Sequence, residues 1–384
     1  MPVDAQALGS KLRKYREQLQ ESVQDVSRST GIASDRLAGI EGGSIRPTGD
    51  EILILADHWS CDFGVLLTNE RSAPFEEAEI LYRRHGEAFS KEDRRAVQEF
   101  LYLCETEAFL FRELERAAQH FTFTPTGSHY KSHGEQGALA LRKFFNYEGD
   151  RPSVPRDIYG DFRAIGAHIF RRKLKNSNIS GLFLSNPSAG PCLLVNYSED
   201  VYRQRFSAAH EMAHAIFDTS EQVVVSFVNP DRRDRLKELR ANRFASCYLM
   251  PPRMLKSLPD PSSWKEADAL RWANDFRVSC DALGIALKEA GRADEAICRR
   301  IRAFRVPREA KMDPELGGDL STTARDRKRG LLERGLSDFY ARLCFEAHNG
   351  GLISSGKLAE AMLTDTVDLA EIAPLYGTFL RYGD

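Results

Sequence analysis

The chain has 384 residues, 42% of them hydrophobic and 29% charged, which describes a globular protein with ample core and room for two or three domains. It holds no apolar run of about 18 residues, and Met1 to Ser10 lacks the basic-then-apolar order of a secretory signal, so neither a membrane span nor export is expected and a cytoplasmic protein is. A net charge of −2 gives no global attraction to nucleic acid, and seven scattered cysteines without a Cys-x-x-Cys pair read as thiols in a reducing compartment.

Residues 1–70 pattern as short helices. Leu8, Leu12, Tyr15 and Leu19 recur at helical spacing, and Ser22 is placed to cap a helix carrying Val23 and Val26. Gly31 suits a tight inter-helix turn, a third helix fills Ser34 to Glu41, and Arg46-Pro47-Thr48 introduces a fourth through Ile52, Leu55 and Ala56. Such an arrangement predicts a five-helix helix-turn-helix domain, whose second helix of the motif enters the major groove of double-stranded DNA. In Gly31-Ile32, Leu37-x-x-Ile40-Glu41-x-Gly43 and Arg46-Pro47 the region resembles the lambda-repressor/Xre family of DNA-binding domains. That resemblance implies base contacts from Ala33, Ser34, Asp35 and Arg36 and a phosphate contact from Arg46. Two positions depart from the family: Val23, where Gln is frequent, and Glu21, usually apolar. The region carries seven Lys or Arg against eleven acids, a net charge of −4, so DNA binding requires a homodimer that doubles the contacts; the alternative is a protein-interaction domain.

Residues 71–135 read as a helical hairpin followed by a linker. Ser90-Lys91-Glu92-Asp93 is a capping signal, and Phe100, Leu101, Leu103, Phe109 and Leu114 form an apolar face suited to a dimerisation element or, failing a partner, a spacer. Phe121 to Ser128 is turn-rich, and His129 and His133 sit in this stretch with no helix expected to hold them and no carboxylate beside them.

Residues 136–295 change in texture. After a helix over 137–145, apolar runs at 164–170, 181–185, 191–197 and 222–228 read as strands, giving a small sheet with an edge able to pair with an extended peptide. Then comes His210-Glu211-Met212-Ala213-His214. Residues four apart share one helix face, so both imidazoles reach one divalent ion, and Glu211 is placed to take a proton from water. Further on, Glu238, Ala241, Asn242, Ala245 and Leu249 form a second stripe, whose small alanines let Glu238 approach as the third ligand. Two imidazoles and a carboxylate suit zinc, with manganese (Mn2+) as the alternative.

The order Arg205-Phe206-x-x-Ala209-His210-Glu211-x-x-His214, then Glu238-x-x-Ala241-Asn242-x-Phe244-Ala245-x-x-x-Leu249-Met250-Pro251, resembles the ImmA/IrrE metallopeptidases over about 137 to 291. The resemblance implies His210, His214 and Glu238 as zinc ligands and Glu211 as general base of a gluzincin-type endopeptidase. It also implies a repressor-type protein substrate and a role in stress response. Arg240 departs from the family, where an acid is common at that position.

Residues 296–384 begin with a basic stretch, Arg299 to Arg329, that reads as an exposed connector, and continue as a helical tail through Phe339, Leu343, Leu358 and Met362. The expected architecture is α+β, mostly α: a helix-turn-helix head, a helical linker, a gluzincin-like domain with a small sheet, and a helical C-terminal region. The expected function is a DNA-binding transcription regulator carrying a zinc endopeptidase. The alternative is a regulator whose zincin domain senses without turnover.

Overall fold

The computed structural model describes residues 4–59, 61, 63–67, 76–227, 235–317 and 320–380. Mostly helical with one small mixed sheet, it divides into two compact units. One comprises Met1–Leu114, Leu174–Asn176 and Phe339–Asp384; the other comprises Glu115–Lys173 and Ser177–Asp338.

In the first unit, α1 (Ala5–Gln18), α2 (Val23–Thr30), α3 (Ser34–Glu41), α4 (Gly49–His58) and α5 (Phe63–Leu67) surround a core of Leu8, Leu12, Tyr15, Val26, Leu37, Ile40, Leu55 and Trp59. The order is consistent with a helix-turn-helix. Local chemistry sets the helix starts: Ser22 with Asp25 and Thr48 with Glu51 form capping boxes. Glu21, polar where an apolar residue is usual, accepts from Trp59 Nε1 at 3.0 Å and meets His58 Nε2 at 3.1 Å. A second hairpin follows, α6 (Glu76–His85) and α7 (Lys91–Glu113), the latter headed by a Ser90–Asp93 capping box. The apolar face of α7 is no solvated spacer: Phe100, Leu101, Leu103 and Leu110 are fully buried.

The second unit runs α8 (Tyr130–Phe144), α9 (Ile158–Ala164), β1 (His168–Arg172), β2 (Ile179–Asn186), β3 (Gly190–Asn196), α10 (Val201–Phe217), β4 (Val223–Phe227) and α11 (Arg235–Leu249). Then follow α12 (Pro252–Lys256), α13 (Glu266–Phe276), α14 (Cys280–Glu289), α15 (Glu295–Ala303) and α16 (Thr322–Glu333). The sheet order is β1-β3-β2-β4, with β1 parallel to β3 and the other pairs antiparallel. Leu182 on β2 faces Leu194 on β3 and Val225 on β4, so β4 is an edge strand. Val228, the end of the expected fourth strand, lies outside the described residues.

Three boundaries differ from the sequence expectation. The strand expected from Ala164 begins at His168, because Ile158–Ala164 closes as a helix and Gly166 turns the chain at φ +91°. The helix expected from Gly137 begins at Tyr130, so His133 is helical; its Nε2 sits 2.9 Å from Gly127 O. The basic stretch is not wholly an exposed connector: buried Arg171 on β1 donates to both Asp313 oxygens at 2.9 and 3.1 Å, and Lys311 pairs with Asp200 at 2.5 Å.

The tail forms α17 (Asp338–Asn349), α18 (Ser355–Ala361) and α19 (Leu369–Ile372). From Phe339 onward it belongs to the first unit, where Phe339 packs edge-on against Phe111 of α7 and Tyr340 donates to Ala361 O at 2.9 Å. All seven cysteines are thiols outside any disulfide, and all but Cys61 are buried.

Helices α8 and α11 pack against each other. They cross at Gly134, where a Cβ would lie 2.3 Å from Arg240 O and 3.0 Å from Phe244 N. Backbone atoms cannot swing aside as a side-chain tip can. Gly134→Ala is therefore expected to destabilise the protein by about 1–3 kcal/mol in chemical denaturation. A variant as stable as wild type would show that the helices do not approach this closely.

Candidate metal centre

Helix α10 lies against β2 and β3 and is buried along most of its length. Its start is set by Asp200, whose side chain accepts from Tyr202 N. Small Ala208, Ala209 and Ala213 are fully buried among the core residues, and His210, Glu211 and His214 are only 6%, 0% and 0% exposed. Helix α11 packs against α10 and contributes Glu238 and, one turn later, Asn242. Ala241 and Ala245 of the same helix are buried at 1% and 0%, as expected of small residues at a close helix contact.

Three ligand-type atoms converge here. His210 Nε2 and His214 Nε2 are 3.1 Å apart; Glu238 Oε2 lies 3.3 Å from the first and Oε1 3.4 Å from the second. Among the described residues this is the one group of three such side chains close enough to hold a metal ion. The outer ring nitrogens are occupied: His210 Nδ1 meets Asn242 Oδ1 at 3.1 Å, and His214 Nδ1 meets Asp218 Oδ2 at 2.9 Å. Both partners are oxygen acceptors, so they place the ring protons on Nδ1 and leave Nε2 lone pairs facing one another and the carboxylate. Lone pairs at this range repel unless a cation lies between them. Tetrahedral ligands about 2.0–2.1 Å from zinc would stand roughly 3.3 Å apart, so the donor set fits that ion.

Electrostatics agree with the geometry. Burial opposes charge on Glu238, yet hydrogen bonds to the two imidazoles outweigh it and hold the carboxyl well below its usual range. Burial likewise opposes charge on His214, but Asp218 and Glu238 more than compensate and lift it to about 9, so a proton on Nε2 is the cation that a metal ion would displace. A pocket of this potential attracts a cation.

Glu211 is different in kind. Burial pushes its carboxyl up to about 6, against the pull of both imidazoles. Neither carboxylate oxygen has a hydrogen-bond partner, and Ser226 Oγ on β4 approaches without completing a bond. The β2 backbone passes directly over it at Gly181, where a Cβ would lie 2.7 Å from Glu211 Oε1. The acid thus has a shaped recess but no partner, a costly state for a buried carboxylate that fits a group reserved for a proton in transit.

Sequence reasoning pointed to His210, Glu211, His214 and Glu238, which the structure brings together, and left Asp218, Asn242, Gly181 and Ser226 without roles. Asp218 was visible in principle, since it continues the four-residue spacing of His210 and His214. Gly181 and Ser226 carry no such signal, because they reach Glu211 from other elements.

The residues expected to touch DNA lie in the first unit. Ser34 and Asp35 open α3, the former half-buried and the latter exposed, and Arg46 is exposed in the loop before α4. Arg36 is engaged: Nε pairs with Glu51 Oε1, and Nη2 donates to Oε2 at 2.9 Å. Arg13 and Arg16 pair with Glu41, and Arg28 pairs with Asp25.

Residues 162–288 match the family model of the IrrE N-terminal-like domain, Peptidase_M78, a span that contains His210, Glu211, His214 and Glu238 and marks a metallopeptidase-type domain. No curated protein matches the chain.

The Arg36–Glu51 pair has a measurable consequence. The hydrogen bond from Arg36, with help from Thr48 and against some burial, holds the Glu51 carboxyl at about 2, below its ordinary 4.5. A depressed carboxyl stabilises the fold above the unfolded value and loses that contribution as pH falls through the folded one. Glu51→Gln should therefore lower the melting temperature by a few degrees at neutral pH, with the deficit shrinking between about 4.5 and about 2. A deficit that stayed constant over that range would exclude the ion pair as its source.

Proposed function

We propose that the second unit is a zinc-dependent endopeptidase and that the first is a helix-turn-helix head that couples it to transcription. The observation that carries the peptidase reading is the convergence of His210, His214 and Glu238 beside a buried Glu211 without hydrogen-bond partners. His210, His214 and Glu238 would hold the ion, zinc by preference and manganese as the alternative. When bound, zinc supplies a Lewis acid that polarises a scissile carbonyl and acidifies a water. Glu211 receives the water's proton on its carboxylate and returns it to the leaving amine nitrogen. Its raised pKa suits both halves of that task, since a group near 6 accepts and releases a proton close to neutrality.

Substrate binding falls to the edge strand β4, whose Val224, Val225 and Phe227 are half-buried. An extended peptide hydrogen-bonded along this edge would gain affinity from main-chain contacts with little sequence demand. A repressor-type protein with an accessible segment is the substrate class this arrangement would serve. The head is read as an operator-binding module acting as a homodimer, with Ser34, Asp35, Arg36 and Arg46 toward DNA. Internal pairing of Arg36 with Glu51 favours a second reading for the head, docking to protein.

Purified protein is expected to carry one zinc per chain, and His214→Ala to lose it, because two remaining ligands hold zinc poorly. Metal content unchanged in that variant by elemental analysis would remove the site. Glu211→Gln should keep the zinc while losing cleavage of a repressor substrate by at least about 100-fold. Cleavage at the wild-type rate would exclude Glu211 as the base; a wild type that binds zinc yet cleaves nothing, with identical gene induction in the variant, would leave the sensing role. For the head, Arg46→Ala should weaken binding to all DNA sequences alike and flatten its salt dependence. A wild-type head that shifts no DNA at low salt would instead support protein docking.

A further inference from the structure

Arg240 is a buried cation beside the metal centre, only 8% exposed, that touches none of the three ligand-type side chains in any hydrogen bond. Its Nη2 donates to Asp218 Oδ1 at 2.6 Å, while Asp218 Oδ2 faces His214 Nδ1 at 2.9 Å. The guanidinium also lies over the rings of Phe217, at 4.7 Å, and Tyr130, at 5.1 Å. Both oxygens of one buried carboxylate are thus committed in opposite directions, one to a cation from α11 and one to a histidine of α10.

We propose that Arg240 is a positioning residue for the metal centre. It anchors Asp218, and Asp218 holds the His214 ring so that Nε2 faces His210 and Glu238. The inference rests on the reading of His210, His214 and Glu238 as metal ligands.

The need for an anchor follows from where Asp218 sits. It is the residue just past the end of α10, its own N–H donating to His214 O, and helix ends are prone to fray. An aspartate in such a place has rotamers to choose from, and the one adopted presents Oδ2 to the imidazole. Arg240 selects that one by occupying the other oxygen, and stacking on Phe217 and Tyr130 keeps the guanidinium itself in place. Removing the cation leaves a carboxylate, 5% exposed, with one oxygen unpaired, and such a group reorients toward water.

The two rings are therefore supported differently. His210 is held directly, since Asn242 of α11 meets its Nδ1. His214 is held in two steps, through Asp218 to Arg240 of the same α11. Helix α11 accordingly supplies one ligand-type side chain and orients the other two, so the spacing of the three depends on a single helix contact. The positive charge of Arg240 also offsets the negative charge of Asp218, which lets an anion support the imidazole without adding an uncompensated negative charge beside Glu238 and Glu211.

The test is a double-mutant cycle read by metal affinity. Zinc binding to wild type, Arg240→Met, Asp218→Asn and the double variant would be measured by competition with a chromophoric chelator, with folding followed by circular dichroism. The cobalt(II) absorption spectrum of each would report ligand geometry independently of activity. Each single variant should bind zinc about 10–100-fold more weakly, and the double variant no more weakly than Asp218→Asn within about twofold. Arg240→Lys, which keeps the charge and a donor, should recover most of the affinity and the wild-type cobalt spectrum. Wild-type zinc affinity in Arg240→Met, losses that multiply in the double variant, or no recovery with Lys would each overturn the proposal. Should the Met variant fail to fold, Arg240→Gln takes its place in the cycle with the same expectations. A wild-type protein that binds no zinc would instead remove the metal-centre reading itself.

Discussion

Three buried electron-pair donors face one another where α10 meets α11, with separations of 3.1–3.4 Å among His210 Nε2, His214 Nε2 and Glu238. In the absence of a cation this arrangement is repulsive, and the surrounding structure must hold it in place. Much of the second unit does so. Ala241 and Ala245 keep the side of α11 slim, Gly134 lets α8 press on α11 from behind, and Asn242 and Asp218 orient the rings from outside. Rigid support of this kind lowers the reorganisation needed on binding an ion, which is where a metal centre gains affinity over loose side chains.

The sheet contributes a different constraint. Gly181 on β2 passes over the carboxylate of Glu211, and Ser226 on β4 borders the same recess. Glu211 is thereby buried with no protein hydrogen bond to either carboxylate oxygen, while Glu238, a few ångströms from both imidazoles, is held ionised by them. Two carboxylates in one site are driven apart in proton affinity by their surroundings, as the proposed roles of ligand and base require. On the far edge, β1 is tied down by Arg171, whose guanidinium holds the Asp313 carboxylate, so a chain segment rich in arginine around it is partly structural.

Charge in the first unit is arranged inwardly. Arg13, Arg16, Arg28 and Arg36 all meet acids of the same unit, two of them sharing Glu41. Pairing of this kind offsets cations in the field that a phosphate backbone would meet. For the proposed operator-binding role, attraction to DNA would then depend on doubling by a second copy.

What the sequence determined by itself were the features that local geometry controls. The four-residue step from His210 to His214 places both imidazoles on one face wherever that segment is helical, and the stripe from Glu238 through Ala241 and Ala245 marks a helix built for close contact. The capping boxes at Ser22 and Ser90 and the turn at Gly31 are equally local, and each lies where its residues predict. Tertiary structure decided the rest. Tyr130 to Phe144 is helical from its first turn because α11 packs along it, although the preceding residues are turn-rich; and the tail from Phe339 joins the first unit through contacts with α7. Arg240 appeared in the sequence only as a departure from a family pattern, and its place beside Asp218 depends on two helices meeting at one height. Hydrogen bonds and ring contacts between residues distant along the chain have no period to read, because they exist only once packing has brought the elements together.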